Sequence, residues 1–195
     1  MAVTPAGTPY VESSDNVADY PGVSLSLANH IDGLDGGKVL QVVSVTKTDT
    51  FSTTSTSFID VTGLSVSITP RSASSKILVS YTVNVGADAN RGQALRLMRD
   101  STPILQGDAA SSRTRASNFT FSDFGATYET SVMFCLSNQF LDSPASTSAL
   151  AYKIQVGAVG EVNGTSIFVN RTSDDADAAR MSRTTSTITA MEIGA

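Results

Sequence analysis

From Lys38 onward, apolar residues recur at every second position, the spacing of strands with one face against a core. Val39, Leu40, Val42, Val43 and Val45 predict a first strand, closed by Lys47-Thr48-Asp49. Phe58 to Val61 predicts a second, with Thr62-Gly63 as a turn before Leu64, Val66 and Ile68. The strongest alternation is Ile77, Val79, Tyr81, Val83 and Val85, stopped upstream by Pro70 and a polar loop. Leu95 to Arg99 and Pro103 to Leu105 flank Asp100-Ser101-Thr102 as a short hairpin. Residues 107–117 are a loop of small residues, followed by Phe119, Phe121 and Phe124. Ser131 to Leu141, Tyr152 to Val156, Ile167 to Val169 and Thr184 to Ile193 supply the remaining strands, and Asn163-Gly164 predicts a tight hairpin turn. Nine or ten short strands between turn signals predict a mainly β protein, a jelly-roll-like antiparallel sandwich. Asp174 to Arg180 is the one segment of the domain that tolerates a helix.

Residues 1–37 read differently. Pro5, Gly7 and Pro9 keep residues 1–9 from forming a regular element. Asp19-Tyr20-Pro21 is a helix start, and Val23, Leu27, Ile31 and Leu34 fall on one helical face. Asp32-Gly33 and Asp35-Gly36-Gly37 end it, so a helix is predicted near 21–32. The chain thus divides into an arm, 1–37, and a β-domain, 38–195.

Charge sharpens that division. The 195 residues carry a net charge of −5. Glu12, Asp15, Asp19, Asp32 and Asp35 precede the first Lys or Arg, so all of it sits on the arm. The β-domain has as many basic as acidic residues and is rich in hydroxyls, with 28 Ser and 23 Thr in the whole chain. Few charges on strand faces suit subunit contacts, whose centres are depleted of charge.

The same composition excludes several functions. No run approaches the roughly 20 apolar residues of a membrane helix, and MAVTPAGTPY has no secretory signal pattern. One Cys and one His rule out the common zinc sets. A single Cys without a signal points to assembly in a reducing cytoplasm. Without a basic stripe, nucleic acid is not an expected partner.

Few residues invite chemistry. His30 lies in the arm, so triad catalysis has no base in the domain. Cys135, between Phe134 and Leu136, reads as a buried thiol. Asp174, Asp175 and Asp177 lack the glycine and terminal glutamate of a calcium loop. Three glycosylation sequons, at Asn118, Asn163 and Asn170, are chance matches in a Thr-rich chain. No enzyme, cofactor or metal is expected. Arg91, Arg96, Arg99, Arg113 and Arg115 cluster along 91–115. Of these, Arg91, Arg113 and Arg115 mark the loops as a candidate recognition surface.

The stretch GKVLQVVSVTKTDTFSTTSTSFIDVTGLSVSITPRSASSKILV, from Gly37 to Val79, resembles the start of a domain found in tail-fibre and other minor structural proteins of marine and cyanobacterial tailed phages. Leu95 to Thr102, Phe140 to Pro144 and the closing Ser186 to Ile193 fit the same pattern, and Tyr20 to Asn29 resembles leaders of phage fibre domains. The resemblance implies a non-enzymatic virion protein, assembled in the host cytoplasm as a homotrimer with an N-terminal anchor. Its arm residues Pro9, Tyr10, Val11, Tyr20, Val23, Leu27, Ile31 and Leu34 would dock onto a tail, baseplate or capsid protein. The β-domain would present its loops outward, with a host-surface glycan as a further partner. A head fibre or decoration protein is the alternative within this class, and a monomeric carbohydrate-binding module the alternative outside it.

Overall fold

The computed structural model describes residues 2–3, 9–10, 38–87, 91–122, 131–159 and 166–194. Its strands are β1 (Ala2–Val3), β2 (Pro9–Tyr10), β3 (Val39–Lys47), β4 (Phe51–Thr53), β5 (Ile59–Ile68), β6 (Lys76–Ala87) and β7 (Arg91–Arg99). They continue with β8 (Thr102–Ile104), β9 (Asn118–Ser122), β10 (Met133–Asp142), β11 (Leu150–Val159), β12 (Ile167–Val169) and β13 (Ser186–Ile193). No α-helix occurs among the described residues.

Two antiparallel sheets form a sandwich. In the first, β6 pairs with β10 along one side and with β13 and then β12 along the other. β13 and β12 pair in turn with β3 and β4. In the second, β11 lies between β5 and β7, and the far side of β7 carries β8 and β9. β3–β4, β8–β9 and β12–β13 each act as one interrupted strand. The fold therefore has eight lines, ordered 1-8-3-6 in one sheet and 2-7-4-5 in the other. That is the jelly roll, as the alternation of the sequence predicts.

The core lies between the sheets. Ile77, Val79, Tyr81, Val83 and Val85 of β6 face Leu95 and Leu97 of β7 and Tyr152, Ile154 and Val156 of β11, all buried. A period of two can serve only one core face, so the polar residues between them point outward. Gly86 marks where the backbone of β6 meets another segment. A Cβ there would lie 2.3 Å from the Arg171 carbonyl oxygen, closer than any side chain can sit.

Three expectations change, and one open alternative closes. Residues 1–9 were expected to form no regular element, yet Ala2–Val3 pairs antiparallel with Pro9–Tyr10. A two-stranded ladder has free edges, where a residue without an N–H can still join. Thr62-Gly63 does not turn the chain back. Gly63 takes φ +80° inside a continuous β5, opposite the register break between Lys153 and Gln155 of β11. A left-handed glycine here makes a bulge, not a hairpin. Asp174 to Arg180, which tolerates a helix, is instead a loop of bends ending in a turn. The Asp174 carboxylate accepts the Ala176 N–H, and Asp175 pairs with Arg183 at 2.7 Å. Finally, Cys135 is exposed rather than buried. β10 is an edge strand whose Phe134, Leu136 and Phe140 pack on the core, so the alternation turns Cys135 outward. The helix near 21–32, with His30 and Asn163-Gly164, lies outside the described residues.

Glu192 of β13 is fully buried, and the Gln41 amide and the Arg71 N–H donate to its carboxylate at 2.6 and 2.7 Å. Burial opposes its ionisation, but these donors outweigh it and hold its pKa below the usual 4.5. A depressed carboxylate stabilises the fold above its unfolded pKa, and the contribution fades as pH falls through the folded value. Chemical denaturation from pH 7 down to pH 3 should show the wild type losing stability more steeply than Glu192→Gln. Equal slopes would show that this carboxylate is not the group being titrated.

Candidate functional site

The loop after β8 builds the most developed surface feature. Leu105 and Ser111 adopt left-handed φ values of 51° and 52°, which fold residues 105–117 back on themselves. The Gly107 N–H donates to the Ala116 carbonyl at 3.3 Å and the Arg113 N–H to the Ala110 carbonyl at 3.1 Å. The Ser117 N–H then ties the loop to the Leu95 carbonyl on β7 at 2.8 Å.

This loop overhangs the outer face of the second sheet. Along β7, Leu95 and Leu97 point into the core, so Arg96 between them points out. Its guanidinium lies over the Phe58 ring, 3.6 Å from the centroid. The Arg96 Nε–H donates to the Arg115 carbonyl at 2.9 Å. Arg115 reaches back in turn, its Nε–H donating to the Gly107 carbonyl at 2.7 Å. Between loop and sheet is a cleft of about 460 Å³, lined by Phe58, Arg96, Gln106, Arg113, Thr114 and Arg115 among others. Among the described residues, no carboxylate lines it. Partial burial lowers the pKa of Arg96, and the charge of Arg115 lowers it further. The two cations are thus held close with no counter-charge from the lining residues.

Two of the three arginines expected to mark a recognition surface, Arg113 and Arg115, therefore share one cleft. Arg91 opens β7 opposite Ser122, with its backbone alone described. Arg96 belongs to the basic cluster of the sequence, but nothing there links it to Phe58. That partner is brought in by the pairing of β11 with both β5 and β7. Arg99 is diverted to structure, since both oxygens of Asp142 accept from it at 2.8 Å. Pro9 and Tyr10 form β2, whereas Val11, Tyr20, Val23, Leu27, Ile31 and Leu34 lie outside the described residues. No group of His, Cys, Asp and Glu among the described residues could hold a metal ion. Among the same residues, no helix is long and apolar enough to cross a membrane.

A second feature is apolar. Val39 and Val42 on β3, Phe119 and Phe121 on β9, and Leu141 on β10 are exposed, each by about half. All lie on strands at the sheet edges.

No protein-family model matches the sequence, and neither does any curated protein. Among solved structures, the chain is similar to a structure of the infectious bursal disease virus Gx strain. The TM-score is 0.38 at 14% identity, over 82% of this chain and 39% of that one. A mutant VP2 protein of infectious bursal disease virus, in derived T=1 particles, gives a TM-score of 0.36 at 15% identity. There the match covers 80% of this chain and 36% of that one. The chain thus spans well under half the length of these viral proteins.

Proposed function

We propose that this chain is a non-enzymatic structural protein of a tailed-phage virion. In this reading it is a short fibre whose residues 1–37 dock onto the tail or baseplate and whose jelly roll forms a homotrimer. The observation that carries the reading is the set of half-exposed Val39, Val42, Phe119, Phe121 and Leu141 along the edges of a lightly charged sandwich. Edge strands normally avoid apolar side chains or cover them, because they invite pairing with another chain. A covering neighbour copy accounts for them. The acidic, Lys- and Arg-free arm and the resemblance of the Gly37 to Val79 segment to phage fibre domains support the rest.

Gold-labelled antibody on purified phage particles tests the assignment. Label at the tail tip supports it, label on the capsid moves the protein to the head-fibre alternative, and a chain missing from particles sinks the virion reading. Light scattering should give the mass of a trimer; a stable monomer would favour the carbohydrate-binding module. Five arm carboxylates facing a basic partner should also make attachment weaken as salt rises. Attachment indifferent to ionic strength would instead assign docking to the stripe Val23, Leu27, Ile31 and Leu34.

A further inference from the structure

We infer that the cleft between the 105–117 loop and the second sheet binds an anionic saccharide through Arg96, Arg113 and Arg115. The charged group recognised is the carboxylate of a uronic acid or a sulfate ester. This deepens the fibre reading by giving its outward surface a ligand class.

Arg96 and Arg115 each use Nε–H on a backbone carbonyl, at 2.9 and 2.7 Å. In each, the outer edge with its Nη–H donors is spared for a ligand. A guanidinium fixed in this way presents parallel donors to an oxyanion with less conformational entropy left to lose. Phe58 beneath Arg96 fixes the plane of that guanidinium. Arg113 lines the cleft without a side-chain hydrogen bond or ion pair among the described residues. Such a concentration of cations, with no carboxylate among the described lining residues, is costly unless an anion completes it.

The surroundings point to a sugar. Thr56, Gln106 and Thr114 add hydroxyl and amide groups suited to saccharide hydroxyls. The volume of about 460 Å³ is within the about 300–1,000 Å³ of small-ligand sites. Nucleic acid fits poorly, because three arginines in one cleft of a domain with balanced charge make no extended basic stripe.

Isothermal titration of the full chain with trigalacturonate, its methyl ester and a sulfated galactan trisaccharide tests the inference. At least one charged trisaccharide should bind, and the uncharged ester should bind at least about tenfold more weakly. The charged probe that binds identifies the group. Arg113→Gln removes a cation whose side chain makes no hydrogen bond or ion pair among the described residues, so it should weaken binding about tenfold with an unchanged melting temperature. Arg96→Gln should weaken binding at least as much. Higher salt should weaken binding of the charged probe and leave the ester unaffected. Three results would overturn the inference: no binding of either charged trisaccharide, equal binding of the ester, or undiminished binding by Arg113→Gln. An equimolar amount of inorganic phosphate that fully displaces the trisaccharide would also overturn it, leaving a site for small anions only. Particle labelling is independent of these titrations. A chain found on virions but silent towards both sugars keeps the fibre reading and loses this one.

Discussion

Replacing Asn170 by alanine is expected to lower the unfolding free energy by about 3–5 kcal/mol. Asn170 follows β12 and is completely buried, with φ +63°. Its side-chain amide donates to the carbonyls of Lys47 and Asp49, both at 2.9 Å. Its side-chain oxygen accepts from the Ser186 hydroxyl at 2.6 Å. Its backbone N–H donates to the Asn84 carbonyl at 2.9 Å, and its carbonyl accepts the Thr184 N–H at 3.1 Å. One residue thus fills the joint where β3 breaks into β4 and β12 into β13. Alanine would remove three side-chain hydrogen bonds at a buried joint, each worth about 1 kcal/mol net and more where the partner is left unsatisfied. It would also lack the polar side chain that lets asparagine, unlike alanine, visit the left-handed region readily. Guanidinium denaturation at fixed protein concentration measures the loss. Asn170→Gly keeps the backbone comfortable, so the gap between the two variants isolates the conformational part. An alanine variant within about 1 kcal/mol of wild type would mean that water replaces the amide.

The second large effect is expected at Asp142. This buried carboxylate ends β10 on one sheet, while Arg99 and Tyr152 are paired neighbours on β7 and β11 of the other. Both Asp142 oxygens accept from Arg99 Nη1 at 2.8 Å, and the Tyr152 hydroxyl donates to one of them at 2.6 Å. Burial and the adjacent carboxylate push the Tyr152 hydroxyl above its usual pKa, so it stays protonated and donates. The trio ties the sheets together at one end of the sandwich. Removing one member of a buried pair costs about 3–5 kcal/mol. Arg99 keeps 27% of its side chain in solvent. Water can therefore partly replace its partner, and Asp142→Ala should cost about 2–4 kcal/mol. Tyr152→Phe should cost about 1–1.5 kcal/mol, since Arg99 still holds the carboxylate. If Asp142→Ala costs no more than Tyr152→Phe, the ion pair adds nothing and the tie is a single hydrogen bond.

These two residues show where sequence reading stops. Asn170 appears in the sequence as the start of a chance glycosylation sequon, and Asp142 as the first residue of a turn before Pro144. Neither reveals that it is buried. Their partners lie far along the chain or on the opposite sheet, and no local pattern encodes a contact of that kind. Cys135 fails for a related reason. Its apolar neighbours announce a strand, but only the order of strands shows that β10 is an edge with one face open. The cleft is an intermediate case. The run of arginines along 91–115 points to its position, and the small residues of 107–117 point to a loop. That Arg96 would stack on Phe58 while Arg115 turned back to Gly107 needed the tertiary arrangement.

What the sequence determined alone is the class of fold and the inward face of each strong strand. Those follow from a period-two alternation, and burying one face of a pleated strand is a local requirement. The separation of an acidic arm from a charge-balanced domain is equally legible, because charge adds along the chain. Only the tertiary structure decided which strands became edges, which polar side chains were buried as ties and which cations share one cleft. Those outcomes depend on pairings between distant segments, where packing and hydrogen-bond satisfaction across the sheets select the partner.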